Sequence, residues 1–236
     1  ETFPLPGTKI EKWRLLSGGN ANGADGDGLL SRGLGQGPSH ASAASDRFVY
    51  DPSDPVPTRG GDMCCINDLM PSGPFDQRSI EQRDDVLVYT SAPLQKDVTV
   101  IGDVKVSLWA RSSAPDTDFT AKLVDVHRDG YAQNVLNRVV RARFRNGSKL
   151  PPSPIEPGRA YEYAIELGNT ATVFKAGHRI RLEVSSSNFP HYARNLNTGA
   201  DPSTDDAIEL AEQTILHDAR HPSVLELPVV PSVRRP

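Results

Sequence analysis

An all-β, antiparallel sandwich is the fold class this sequence predicts, on three observations. Apolar residues recur at period two after residue 86, as in Val98, Val100, Val104, Val106 and Leu108, and again in Ile180, Leu182 and Val184. Such alternation buries one strand face and wets the other. Turn formers are abundant, with 19 glycines and 20 prolines and no collagen-like period. Helical signal is confined to Thr204-Asp205-Asp206 ahead of Ala207, Ile208, Leu210 and Ala211, which allows at most one short helix.

Taken in order, residues 1–49 are expected to form a loosely structured segment packed on the sandwich. There Ser17-Gly18-Gly19-Asn20, Asn22-Gly23 and Asp25-Gly26-Asp27-Gly28 interrupt Trp13, Leu15, Leu29 and Leu30. The spacing Asp25-x-Asp27 lacks the further acidic ligands of a calcium loop. Three prolines in Asp51-Pro52-Ser53-Asp54-Pro55-Val56-Pro57 fix φ and remove donors, so that stretch should run extended across a surface. Residues 50–236 carry the β domain. Its strands are read at Val86 to Ser91, Val98 to Leu108, Phe119 to Val126, Val135 to Phe144, Tyr161 to Leu167, Ile180 to Val184 and Val224 to Val229. Asp129-Gly130 supports a tight hairpin between the third and fourth of these, and Lys175-Ala176-Gly177-His178 marks another turn. No internal repeat occurs, and so few helices exclude a doubly wound sheet and an α/β-hydrolase core.

The chain has 236 residues, 37% hydrophobic and 24% charged, with 26 basic against 30 acidic residues and a net charge of −4. That describes a soluble globular body of one large domain or two small ones. No run approaches the ~18 apolar residues of a membrane span, and an acidic balance gains nothing from phosphate backbones; neither membrane nor nucleic acid is an expected partner. Cys64 and Cys65 are adjacent, cannot staple distant segments, and are read as free thiols. The chain begins with Glu1 and no leader follows it, so a fragment or processed product is expected, with a cytoplasmic compartment favoured.

A serine nucleophile of the elbow type needs a strand feeding a sharp Gly-x-Ser-x-Gly turn. The nearest match, Gly37-Pro38-Ser39-His40-Ala41, has proline before the serine and no strand ahead of it. Ser185-Ser186-Ser187 ends a strand without an assignable base. Six histidines, His40, His127, His178, His191, His217 and His221, show neither an i,i+4 pair nor a Cys-x-x-Cys partner; no metal and no cofactor are expected. Asp116 and Asp118 are read as turn acceptors where a strand begins, and His178 and His191 as makers of structural hydrogen bonds. Arg141, Arg143, Arg145, Arg179 and Arg181 should pair with carboxylates rather than bind anions.

Five phrases add a resemblance: Gly73-Pro74-Phe75-Asp76-Gln77; Arg83-Asp84-Asp85-Val86-Leu87-Val88-Tyr89-Thr90-Ser91-Ala92-Pro93-Leu94; Asp116 to Val126; Gly177-His178-Arg179-Ile180-Arg181; and Ser185-Ser186-Ser187-Asn188-Phe189-Pro190 with Asn195-Leu196-Asn197-Thr198-Gly199. In order and spacing they resemble the C-terminal domain of the cocaine-esterase and X-prolyl dipeptidyl-peptidase group of serine hydrolases. The resemblance implies a jelly-roll sandwich, galactose-binding-domain-like, packed beside the α/β-hydrolase catalytic domain of the same parent chain. It also implies that nucleophile, acid and histidine lie outside this chain, so no catalytic residue is expected here. In the related hydrolases the segment after a Gly-Gly pair approaches the acyl pocket, which here designates Met63, Cys64, Cys65 and Ile66 after Gly60-Gly61 as pocket-lining or interface residues.

An accessory, non-catalytic domain of an acyl esterase or X-Pro dipeptidyl-peptidase is therefore the first reading. The alternative is an independent carbohydrate- or ligand-binding jelly-roll module, for which Trp13, Trp109, Tyr131, Tyr161, Tyr163 and Tyr192 are the available aromatics. A third reading, that the sandwich mediates homo-oligomer contacts, stays open.

Overall fold

The computed structural model describes residues 3–32, 44–62, 71–201 and 204–231. Eleven strands appear in order: β1 Lys9–Leu16, β2 Leu29–Arg32, β3 Ser45–Tyr50, β4 Leu87–Thr90, β5 Val98–Ser112, β6 Asp118–Val126, β7 Ala132–Arg141, β8 Tyr161–Phe174, β9 Arg179–Ser185, β10 Ala211–Leu216 and β11 Val224–Val230. The helical content of the described residues is one 3₁₀ turn, Ala142–Phe144. The fold is thus the all-β sandwich the sequence predicts.

The long strand β5 organises one half. Along one edge it pairs with β8 from Val98↔Phe174 to Ala110↔Tyr161; along the other it pairs first with β11 and then with β10. β10 carries β3, and β11 carries β1 and β2. A single parallel pair, Leu29↔Thr90, joins β2 to the second half, which runs β4, β9, β6, β7. Every other ladder is antiparallel. The sheet folds over so that β6 and β7 lie against β8.

One core fills the space between the halves. Val100, Val104, Val106 and Leu108 from β5 meet Leu123 from β6 and Leu182 from β9. Each such side chain, fully buried, contributes about 2 kcal/mol. The opposite parity of β5 is wet, as alternation requires.

The second half departs from that rule, because β6 is buried on both faces. Its outer face lies under loops from residues 51–62 and 71–86. Val56 and Ile80 from those loops pack on Val86 and Val88, while Lys122 and Glu183 remain only 8% and 3% exposed. The proline-rich stretch accordingly caps a sheet face rather than merely crossing a surface, with the Val56 amide donating to Ser187 Oγ at 2.8 Å.

Two further expectations are revised. Of the segment expected to be loosely structured, residues 9–16, 29–32 and 45–49 are strands of the sheet itself. The short helix expected from Thr204 onward is not formed over residues 204–210; the Thr204 and Asp205 amides turn back onto the Asp201 carbonyl, and the chain then enters β10. Asp205 spends its carboxylate on the Thr198 hydroxyl and the Ala207 amide, the Glu209 amide donates to the Leu196 carbonyl, and Asn197 Nδ2 donates to the Glu209 carbonyl at 2.7 Å. Backbone groups that a helix would use internally are committed to the 195–198 loop. Ile208 and Leu210, 44% and 62% exposed, supply no buried face to favour the helix.

Candidate functional site

A Ser–His–Asp set does come together here, and its geometry decides what it can do. β1 ends in Leu16, so Ser17 sits at the strand's mouth; Asp46 lies on β3, Tyr89 on β4, and His217 just past β10. Ser17 Oγ donates to Asp46 at 2.8 Å, Tyr89 OH donates to Asp46 Oδ2 at 2.8 Å, and the Ala21 amide donates to Asp46 Oδ1 at 3.0 Å. His217 Nε2 stands 2.9 Å from Asp46 Oδ2 and 3.1 Å from Ser17 Oγ. A relay needs opposite ring nitrogens, one on the acid and one on the nucleophile. Here a single nitrogen serves both, while Nδ1 is buried without a partner among the described residues. The serine hydroxyl is directed at the carboxylate, and Ser17 and Asp46 are both 0% exposed. The cluster therefore ties four chain segments together and cannot meet a substrate. Burial alone would raise the Asp46 pKa, yet the hydrogen bonds from His217 and Ser17 carry it below the ordinary carboxylate value.

Aspartates 116 and 118 open β6 beside β7. Asp116 binds Arg143 at 2.7 Å and Asp118 binds Arg141 at 2.9 Å; Asn195 Nδ2 donates to both, each at 2.9 Å. Burial raises the Asp118 pKa although Arg141 opposes it. On the outer face of β6 and β9, Arg181 Nη1 meets Glu81 Oε2 at 2.5 Å and Lys122 meets Glu183 at 2.9 Å. Burial first, and the neighbouring Glu183 charge second, push Glu81 up to about 7. Of the five arginines singled out in the sequence, Arg141, Arg143 and Arg181 hold carboxylates, whereas Arg145 and Arg179 donate to the carbonyls of Ser153 and Ser91. The cavity bordering this charged layer has only about 10 Å³ for the centre of a water-sized sphere, too little for a substrate.

The segment Met63, Cys64, Cys65 and Ile66 lies outside the described residues, as does Gly37-Pro38-Ser39-His40-Ala41. The base of the former is described. Gly61 and Gly73 exchange both backbone hydrogen bonds at 2.8 Å. Gly61 has φ +116°, and a Cβ there would come 3.0 Å from Asn137 Nδ2, so glycine alone suits this crossing. Beside it Asp62 pairs with Arg138 at 2.8 Å, and His191, stacked on Tyr192 at 4.3 Å, lies 3.5 Å from Asp62. Burial lowers the His191 pKa.

At the opposite end of β6, His178 Nδ1 lies 3.0 Å from Asp125 Oδ1, and His127 Nε2 lies 3.8 Å from Asp125 Oδ2. The sequence spacing signals no metal centre; strand register, which places Val126 beside Arg179, assembles this trio. Sequence reasoning also missed the Ser17–Asp46–His217 cluster, because its members are 29 and 171 residues apart and no local signal links them. The aromatics are largely committed: Trp13 and Tyr163 are buried, Trp109 meets His221 edge-on, and Tyr161 lies between Arg145 and Arg159. No helix among the described residues is long and apolar enough to cross a membrane.

Comparison with known proteins fits this architecture. The cocaine esterase of Rhodococcus sp. (strain MB1 Bresler) is 43% identical over 230 residues, which is 97% of this chain but 39% of that esterase. Among solved structures, an α-amino acid ester hydrolase labelled with selenomethionine superposes with TM-score 0.76 at 28% identity, over 92% of this chain and 36% of that one. An aminopeptidase from the marine sediment archaeon Thaumarchaeota archaeon gives TM-score 0.75 at 28% identity, over 93% and 37%. The chain thus spans about two-fifths of the proteins it matches. Residues 1–226 match the X-Pro dipeptidyl-peptidase C-terminal non-catalytic domain, and with the esterase identity spanning nearly the whole chain, this protein belongs to that family.

Proposed function

We propose that this chain is the accessory jelly-roll domain of a serine hydrolase of the acyl-esterase or X-Pro dipeptidyl-peptidase type. It packs on an α/β-hydrolase domain, helps shape that domain's acyl pocket through Met63, Cys64, Cys65 and Ile66, and takes the nucleophile from outside itself. The observation that carries the reading is 43% identity to a cocaine esterase across 97% of this chain. Three others support it. The chain accounts for 39% of that esterase, leaving room for a catalytic domain elsewhere. The Ser17–Asp46–His217 cluster is sealed and wrongly wired for attack. Loops on a rigid sandwich are the usual means of shaping a pocket at a domain junction.

The test is hydrolysis of p-nitrophenyl esters. The 236-residue chain alone should release p-nitrophenol no faster than buffer, and a longer protein that carries it should turn over with sensitivity to a phosphonate. A phosphonate-sensitive burst from the chain alone would overturn the assignment of the nucleophile to another region.

A further inference from the structure

The geometry points to a divalent transition-metal site formed by Asp125, His127 and His178, which would take Zn²⁺ or an ion of similar ligand preference and link the β6–β7 turn to the β8–β9 turn.

Backbone register builds the trio. Asp125 and His127 are two residues apart at the end of β6 and so share a side of the strand. His178 immediately precedes β9, whose first pairs, Val126↔Arg179 and Asp125↔Ile180, set it beside them. Two contacts hold the turns in place independently of the trio: the His127 amide donates to the Tyr131 carbonyl at 2.8 Å, and Arg128 Nη2 reaches across to the Ala176 carbonyl at 2.6 Å.

The distances approach those a metal imposes. Ligand atoms of the three residues all lie within 4.8 Å of one another. His178 Nδ1 is 3.0 Å and His127 Nε2 3.8 Å from the carboxylate. Tetrahedral zinc with bonds near 2.1 Å sets its ligands about 3.4 Å apart. The remaining adjustment falls to His127, whose side chain is 32% exposed and can turn. Two imidazoles and one carboxylate suit zinc and its neighbours better than magnesium or calcium, which prefer oxygen throughout. Solvent on the His127 side leaves room for water to complete the shell.

A second observation singles out Asp125. The buried carboxylates Asp116, Asp118, Glu81 and Glu183 each face arginine or lysine, and Asp46 collects hydrogen bonds from hydroxyl and amide groups. Asp125 is 7% exposed, and among the described residues its carboxylate's hydrogen bonds and ion pairs are with His178 and His127. The two rings stack with centroids 4.5 Å apart. A divalent ion supplies the positive partner that Asp116, Asp118, Glu81 and Glu183 already have.

The experiment titrates Zn²⁺ into the chelator-treated chain by calorimetry, with Co²⁺ as a spectroscopic probe. One ion should bind per chain, Co²⁺ should give the visible bands of a low-coordinate nitrogen–oxygen site, and Tm should rise with metal concentration by mass action. Outer-shell partners alone are worth about 10–100-fold in metal affinity, so His178→Gln or Asp125→Asn should weaken binding about 100-fold or more. If a variant does not fold, imidazole NMR of the unaltered chain decides: Zn²⁺ should perturb His127 and His178 among the six histidines. Absence of saturable binding, affinity unchanged in His127→Gln/His178→Gln, or perturbation of other histidines instead would overturn the proposal.

Discussion

Replacing Asp46 by asparagine tests whether the buried Ser–His–Asp cluster is a structural tie. The side chain keeps its shape, so what changes is charge and hydrogen-bond polarity. Asp46 Oδ1 accepts from Ser17 and the Ala21 amide, and Oδ2 accepts from Tyr89 OH at 2.8 Å and faces His217 Nε2 at 2.9 Å. The asparagine carbonyl can keep the first pair, but its NH₂ then confronts the Tyr89 hydroxyl and His217 Nε2. Two bonds to a charged acceptor are lost, at ~1.5–3 kcal/mol each. His217 recovers part of this by moving its proton to Nδ1, which is buried and without a partner among the described residues. A net loss of about 3 kcal/mol is expected, a large share of the ~5–15 kcal/mol that holds a domain folded.

Urea unfolding of the chain, followed through the buried Trp13, should show a lower midpoint with unchanged slope. Because the folded pKa of Asp46 lies below its ordinary value of 3.8, its contribution is present above about pH 4 and fades as pH falls through the folded pKa. The gap between variant and parent should close in acid. A loss under about 0.5 kcal/mol, or strict additivity with Tyr89→Phe, would refute the reasoning, since groups sharing one acceptor should couple.

Two more outcomes follow. Glu81, pushed up to about 7, holds in the folded state a proton that the unfolded chain releases near its ordinary 4.5. Folding stability should therefore fall as pH rises from about 4.5 through 7, by about 3 kcal/mol. Thermal melts across that range should be flatter for Glu81→Gln, and parallel curves would contradict the buried-proton account. Gly28→Ala places a Cβ 2.1 Å from the Val88 carbonyl oxygen, at the join between the two halves. It should cost about 1–3 kcal/mol by overpacking, whereas Gly130→Ala, with open space and φ +87°, should cost only the ~1 kcal/mol of a left-handed alanine. Equal melting temperatures for the two variants would disprove the steric argument.

Legibility in the sequence follows what faces inward. Strands β5, β8 and β9 bury Val, Leu, Ile and aromatic residues at one parity, and each is visible as alternation. Strands β3 and β10 alternate just as strictly in burial, but their inward positions include Asp46 and Gln213. Period two in hydrophobicity is therefore broken where period two in burial is not. β1 fails for another reason: only its second half, from Trp13 on, is buried. The candidate site shows the same limit. Arginine–carboxylate pairing followed from residue type, whereas the partners were set by register. The covered outer face of β6 had no signal, since Lys122 and Glu183 read as solvent residues until loops from 51–62 and 71–86 close over them.

Two histidine–aspartate pairs in one small sandwich show how environment, not residue type, assigns a role. His217–Asp46 and His178–Asp125 have nearly the same separation, 2.9 and 3.0 Å. Around Asp46, tyrosine, serine and a backbone amide complete the carboxylate's shell, and neither His217 nor Asp46 has any exposed side-chain surface. Nothing is left to bind and no route leads in, so that pair can only hold segments together. Around the Asp125 carboxylate the partners among the described residues are imidazoles, and 16% of the His178 side chain and 32% of the His127 side chain face outward. An under-served carboxylate beside two nitrogen donors, within reach of solvent, is poised to take up a cation. Proximity of serine, histidine and aspartate is thus poor evidence of hydrolysis here, because neither pair pairs an open serine with a correctly oriented ring. Among the described residues, the chemistry these histidines support is cohesion where β1, β3, β4 and β10 meet and ligation at the end of β6.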